Sequence, residues 1–368
     1  MKSILKLRRL WLLLAFPASF ALILLASGRA GFAESYANSV YPILSRAGNQ
    51  ITGLAPFSVG EAFVFLLIAL LLAALIRFFV RMARGRGKRG LIAGKFAVNL
   101  LCFTGILLLL FTAGCGINYY RSTFAQTSGL DVKESQKSEL VRLCSSLATD
   151  SNTLRAQTET DGRSVMRLRA QSFSENAEKA RVAFDGLSRS YPLLRSGYGA
   201  PKPVLASQLM SRCNITGMFF PFTFEANVNT DVPEYTIPFT MCHELSHLRG
   251  FMREDEANFI AYLACENSSD VDFRYSGAVM AFTYASNALF GADSSAANTV
   301  FSRLSDGVRR DLQFNSQYWD KFKGPAADAA TSANNSYLKA NNQKDGVQSY
   351  GRMVDLLLAL QRSGKATK

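Results

Sequence analysis

Histidine occurs only twice in the 368 residues of this chain, and acidic residues are nearly missing from its first third. Residues 1–122 contain fourteen Lys and Arg but only Glu34 and Glu61 on the acidic side. That imbalance supplies almost all of the formal net charge of +13, since 27 basic and 26 acidic residues remain after it. A nucleic-acid-binding protein concentrates basic charge on its folded domain. Here the charge sits beside hydrophobic runs, so a nucleic-acid partner is not expected. Charge is sparse overall, at 19% against 48% hydrophobic residues. The chain is too apolar for an ordinary soluble enzyme and too polar for a protein made only of membrane helices. No internal repeat is present.

The apolar residues gather in three runs, at about 10–27, 62–80 and 96–117. Each is near the ~20 residues that span a bilayer as a helix. Lys2, Lys6, Arg8 and Arg9 precede the first, and Arg81, Arg84, Arg86, Lys88, Arg89 and Lys95 follow the second. Only Arg29 and Arg46 lie between the first two runs. The positive-inside rule then puts the N-terminus and the second loop in the cytoplasm, and everything after the third run outside. The first run could be a cleaved signal ending near Phe32-Ala33, but its apolar stretch exceeds the ~7–15 residues usual for one, which favours an anchor. Residues 30–58 read as an external connection on the membrane surface.

From about residue 122 the pattern is that of a globular domain, giving a membrane part at 1–121 and an outer domain at 122–368. Residues 129–150 and 174–190 have helical spacing of apolar positions. Around 201–229, aromatic residues interrupted by Pro221 suggest short strands. Helices resume near Glu234. The apolar stretch 276–289 is too short to span a bilayer and reads as a buried helix. Gly324 to Asn342 reads as a loop and a weak helix, and Val347 to Gln361 as an amphipathic one. Cys144, Cys213, Cys242 and Cys265 lie in the outer part, an even number compatible with either bridges or free thiols.

The two histidines, His243 and His247, stand four apart, with Glu244 directly after the first. Random placement of two histidines gives that spacing about once in two hundred trials. On a helix, positions i and i+4 share a face, so both imidazoles can converge on one metal ion. Glu244, one position round, can reach a water activated by that ion and act as a general base. Phe239, Met241, Cys242 and Leu245 make the helix a buried one, and Cys242 points about 100° away from His243, so it is not counted as a ligand. Gly250 offers a left-handed stop, after which the chain turns back.

A catalytic zinc takes three protein ligands and keeps one open position. With no third histidine, the remaining ligand must come from the acidic cluster Glu254-Asp255-Glu256. Glu254 is favoured and Glu256 is its rival. Asn258, four after Glu254, shares its face and could support an imidazole from behind. Two weaker expectations concern substrate. The segment Glu225 to Asn229, with Asn227 and Asn229, could be the edge strand that pairs with an extended peptide. Arg274 or Tyr275 could supply a donor to the oxyanion, with Tyr235 and Tyr262 as competitors.

Around His243–Cys265 the sequence resembles a bacterial membrane-protein family known as domain of unknown function 3810. The segments Pro221–Asn229, Phe273–Gly277 and Asn334–Leu357 resemble it too. The resemblance implies a bacterial envelope protein and a metallopeptidase, without naming a substrate. The site is similar to that of gluzincins, which combine HExxH with a Glu placed four before an Asp or Asn; by position this gives His243, Glu244, His247, Glu254 and Asn258. The gap of six residues between His247 and Glu254 is shorter than in many gluzincins. Metzincins would place a third histidine at 253, which is Arg253.

The expected architecture is therefore three transmembrane helices followed by a mostly helical α+β zincin-like domain. The expected function is a zinc endopeptidase anchored in the bacterial cell membrane, with its catalytic domain extracytoplasmic and acting on a peptide or protein substrate. Its rival is a non-catalytic zinc-binding envelope protein that holds a peptide or cell-wall partner.

Overall fold

The computed structural model describes residues 8–364, so Lys2 and Lys6 lie outside the described residues. Among the described residues, three helices are long and apolar enough to cross a membrane: Arg9–Gly28, Val59–Arg84 and Arg89–Gly114. The first is a 3-10 stretch, Arg8–Leu14, running into α1 (Ala15–Gly28). The chain then folds into two helices, α2 (Ala30–Ser39) and α3 (Tyr41–Gly53). Ser58 caps the second span, α4 (Val59–Arg84), by accepting from the Glu61 amide. The third span, α5 (Arg89–Gly114), stops three residues earlier than the apolar run suggests. Cys115 leaves the helical backbone there, and a 3-10 turn follows at Gly116–Tyr120.

The rest is mostly helical. A short α6 (Phe124–Ser128) precedes α7 (Lys137–Arg155), which starts on a capping box between Gln136 and Glu139. A two-residue hairpin of β1 (Glu159–Thr160) and β2 (Met166–Arg167) leads to α8 (Phe173–Ser190). Then come β3 (Lys202–Pro203), α9 (Ser207–Arg212), β4 (Gly217–Phe220) and β5 (Glu225–Val228). The sheet order is β3-β5-β4, with β3 parallel and β4 antiparallel to β5. The segment expected at the edge, Glu225–Val228, is thus the central strand. Lys202–Pro203 pairs on its far side, and the open edge on the near side belongs to β4.

The remaining helices are α10 (Ile237–Leu248), α11 (Glu254–Glu266), α12 (Val271–Ala292), α13 (Ser294–Phe301), α14 (Asp306–Asp320), α15 (Pro325–Ala340) and α16 (Met353–Ser363). Helix α12 contains the apolar run 276–289, and its Phe273, Val279, Phe282 and Leu289 are buried, as a core helix requires. The Gly324–Asn342 stretch is a regular helix rather than a loop, with Leu338 buried on its inner face. Phe124 joins the halves of the core, its ring 5.6 Å from Phe251 and 5.7 Å from Phe259. All six cysteines are free thiols, five of them buried.

The residues after the third apolar helix are bolted to the N-terminal helices through buried polar groups. The Glu225 carboxylate accepts from the Val59 and Gly60 amides at 3.1 and 2.6 Å and from Lys202 Nζ at 2.5 Å. It therefore caps the N-terminus of α4, where a carboxylate is electrostatically favoured. In return Glu61 accepts from the Leu205 and Ala206 amides at 2.9 and 2.7 Å. Asn49 donates to Phe224 O and accepts from the Gly199 amide.

At the end of α11 one half-buried acid gives a stability signature. Burial pushes the Glu266 carboxyl from its ordinary 4.5 up to about 7; Arg274 pulls it back and Asp150 adds to the rise. Between about pH 4.5 and 7 the native state keeps a proton that the unfolded chain has lost, so stability falls as pH rises, and the loss is complete above about 7. Glu266→Gln removes that loss. The variant is expected to unfold at higher temperature than the wild type at pH 8, by ~1–3 kcal/mol of stability, and to match it near pH 4.5. Thermal unfolding in detergent at the two pH values checks this, and equal differences at both would refute it.

Candidate metal centre

Helix α10 starts with Pro238 in its first turn, where a missing amide hydrogen costs nothing. It ends at Leu248, two residues before Gly250, whose φ of +87° is the left-handed conformation that glycine tolerates. The Phe251 amide folds back to donate to Ser246 O, 3.2 Å away. That turn carries Phe251 O to within 2.8 Å of His247 Nδ1, which donates to it. His243 Nδ1 in turn donates to Asn258 Oδ1 at 2.8 Å.

With both Nδ1 atoms engaged as donors, each Nε2 presents a lone pair. The two Nε2 atoms face each other at 3.0 Å. Glu254 Oε2 joins them, 3.2 Å from His243 Nε2 and 3.6 Å from His247 Nε2. Ligands about 2.0–2.1 Å from a tetrahedral zinc stand about 3.3 Å apart, so the three separations bracket the value required. Buried Glu254 Oε2 has no hydrogen-bond partner among the described residues, and neither has Glu244 Oε2. Three inward-facing electron pairs and orphaned buried oxygens are what a cation would satisfy, so the residues fit zinc. Burial pushes His247 down, but Glu254 and Glu244 outweigh it and hold it up at about 9. Burial likewise raises Glu254, but the imidazoles hold it down at about 2.

Glu244 lies beside this set, only 3% exposed. Burial pushes its carboxyl up, and the two histidines and the Phe219 amide, which donates to it, pull it down. Strand β4 presses on it from above. A Cβ on Gly217 would come within 2.8 Å of both Glu244 Cγ and Thr240 Cγ2, so only glycine lets the strand approach this closely. The Asn229 amide donates to Thr216 O at 2.9 Å, which fixes the ladder phase. Alternation in an antiparallel pair then turns the backbone groups of Gly217 and Phe219 away from β5, toward the open edge beside Glu244.

The other expected site residues lie elsewhere. Glu256 points away from the imidazoles, with its Oε1 accepting from the Phe124 amide and from Arg253 Nη1, both at 2.9 Å. It is not part of the ligand cluster, which contains His243, His247 and Glu254. Asn227 uses its amide nitrogen on the Met218 and Glu225 carbonyls. Asn229 spends its own on Ser211 and Ile215 and is fully buried. Asn227 thus braces the sheet from within β5, and Asn229 ties the end of that strand to α9. The Tyr275 hydroxyl donates to Asp311 Oδ2 at 2.6 Å, so it is committed to a different buried network. Arg274 is exposed, and its charge acts on Glu266 and Asp150. Neither stands beside the histidines.

Sequence reasoning missed Tyr284 of α12, which is hydrogen-bonded to Asn258; burial and the Glu254 charge push its hydroxyl up to about 12. It also missed how close the membrane part comes. Tyr41 Oη donates toward the His247 and Leu248 carbonyls, each at 3.2 Å. Cys115, the first residue beyond the third span, touches Met252 Sδ at 3.6 Å, two residues before Glu254. Gln343 Oε1 accepts from the Glu254 amide at 3.1 Å.

The model of a family described as "Protein of unknown function (DUF3810)" matches residues 36–358. No curated protein and no solved structure matches the chain.

Proposed function

The chain belongs to the DUF3810 family, and from that premise we propose that it is a membrane-anchored zinc peptidase with a zincin-like outer domain. The observation that carries the reading is the convergence of His243 Nε2, His247 Nε2 and Glu254 Oε2 next to a buried Glu244. His243, His247 and Glu254 would hold the ion. When bound, zinc supplies a Lewis acid that polarises a peptide carbonyl and makes water a nucleophile near neutral pH.

The chain's own groups do the rest. Glu244 accepts a proton on its unpartnered Oε2 and returns it to the departing amine. The outward-facing backbone groups of Gly217 and the Phe219 carbonyl pair with an extended substrate and set its register, while the Phe219 amide stays on Glu244. Asn258 fixes the His243 ring, and Tyr284 fixes Asn258, so the ligating nitrogen keeps its lone pair turned inward. The basic loop between the second and third spans joins the ends of α4 and α5 remote from the outer domain. By the positive-inside rule, that arrangement supports a site on the outer face of the membrane.

Metal analysis of the full chain purified in detergent tests the reading. About one zinc per chain is expected, lost in His243→Ala, His247→Ala and Glu254→Gln but kept in Glu256→Gln. Zinc that survives loss of either histidine would remove the basis for the proposal.

Gly217→Ala probes the strand. Its methyl group must displace Glu244 or lift β4, and a shift of about 1 Å can cost on the order of 100-fold in rate. Peptide turnover should fall by about that factor while zinc content stays unchanged. Turnover within twofold of the wild type would show that β4 does not govern the base.

A further inference from the structure

Strand β4 links two places. At its start, Gly217 lies against Glu244. At its end, the Phe220 ring packs on Phe63 of the second span at 6.1 Å between centroids, and against Gly60 in that helix's first turn. The next residue, Pro221, sits on Gly114, the last residue of the third span; a Cβ there would lie 2.7 Å from Pro221 O. Phe222 adds a second ring on Phe63 at 6.3 Å. The strand therefore descends from the candidate base to the level where two spans enter the bilayer. Three residue steps at ~3.3 Å make that descent about 10 Å.

An extended chain paired with the open edge of β4 must follow the same path. Within about three residues of Glu244 one of its ends meets the hydrocarbon boundary. A freely soluble peptide would have to leave polar backbone groups there without water or partners. A chain that already enters the bilayer as a helix at that point satisfies its own backbone and escapes the cost. A neighbouring surface for such a helix exists. The most apolar window of the span Val59–Arg84 is 0% buried, against 17% for each of the other two spans. Its Val64, Ile68, Leu71 and Leu72 are exposed.

Resting on the peptidase reading, we propose that the substrate is a membrane-spanning polypeptide, cut within a few residues of the point where it leaves the outer face of the bilayer. The buried capping between Glu225 and the start of α4 fixes the height of the sheet over the membrane. The cut is therefore set by distance from the bilayer rather than by a long side-chain motif. Tethering in the plane of the membrane also raises the local concentration of substrate at the site without any added contact.

The test uses the full zinc-loaded chain in proteoliposomes. The probe is a synthetic Leu/Ala transmembrane helix carrying a randomised twelve-residue outer tail, compared with the same tail free in solution and on a palmitoyl anchor. Occupancy is read independently of turnover by Met218→p-benzoylphenylalanine in the Glu244→Gln background, since Met218 is exposed on β4. Photolabelling of the helix-anchored tail is expected to exceed that of the free tail at least tenfold, on tail residues about two to six from the helix. Wild-type protein should cut in the same window. Equal labelling of the free or palmitoylated tail, or cuts spread evenly along the tail, overturns the proposal. Selective labelling with no cutting by the wild type supports the placement but sinks the peptidase reading. No labelling and no cutting removes both.

Discussion

Replacing Glu244 by glutamine is expected to leave about one zinc per chain and to lower peptide turnover by roughly 10²–10⁴-fold. The exchange keeps size and shape and removes only the ability to take a proton. Glu244 supplies no atom to the cluster of His243, His247 and Glu254, so the metal set should be untouched. Its own surroundings give the carboxylate little structural reward, because Oε2 is buried without a hydrogen-bond partner and burial pushes the group toward its protonated form. A neutral amide relieves part of that cost, so thermal stability should hold or rise. A purely structural glutamate would show the reverse: lower stability and unchanged turnover. A non-catalytic zinc-binding protein would show no turnover to lose. Zinc content, melting temperature and cleavage of a randomised peptide mixture, measured on one preparation, separate the three. Retained turnover would eliminate Glu244 as the base.

The residues that converge were legible because the relevant rule is local. Two imidazoles four apart on a helix meet whatever the rest of the fold does, and the glycine stop at 250 with an acidic turn at 254 brings Glu254 back toward them. The i+4 relation to Asn258 favoured Glu254, but what turns Glu256 away was not legible. It depends on which carboxylate the Phe124 amide and Arg253 claim, and Phe124 comes from 132 residues upstream. The strand roles were hidden for a similar reason. A two-residue partner, Lys202–Pro203, makes β5 central, and nothing in its own alternation distinguishes an edge from a middle position. The three long apolar helices were readable from the length of their hydrophobic runs, but not their contacts with the site. Tyr41 reaches the His247 carbonyl across 206 positions, and only the folded chain brings them together.

Asp311→Ala is expected to cost about 3–5 kcal/mol of stability, the range for removing one partner of a buried ion pair. The carboxylate is completely buried and fully employed. Arg155 donates to it from Nε at 2.6 Å and Nη2 at 3.3 Å, the Met166 amide at 2.8 Å and the Tyr275 hydroxyl at 2.6 Å. One side chain on α14 thus ties together α7, β2 and α12. Alanine would strand a guanidinium that is only 7% exposed, along with a buried hydroxyl and an amide. Arg155→Ala should cost a similar amount. The double variant should cost clearly less than the two single losses added together, because the second change removes the charge that the first left unpaired. Tyr275→Phe should lose only about 1–2 kcal/mol and keep both its zinc and its turnover, since its hydroxyl serves this network and not the histidines. Denaturant unfolding of the four variants in detergent decides the matter. Additive losses would mean that Arg155 and Asp311 do not act as a pair. Loss of turnover in a stably folded Tyr275→Phe would return that hydroxyl to the reaction site.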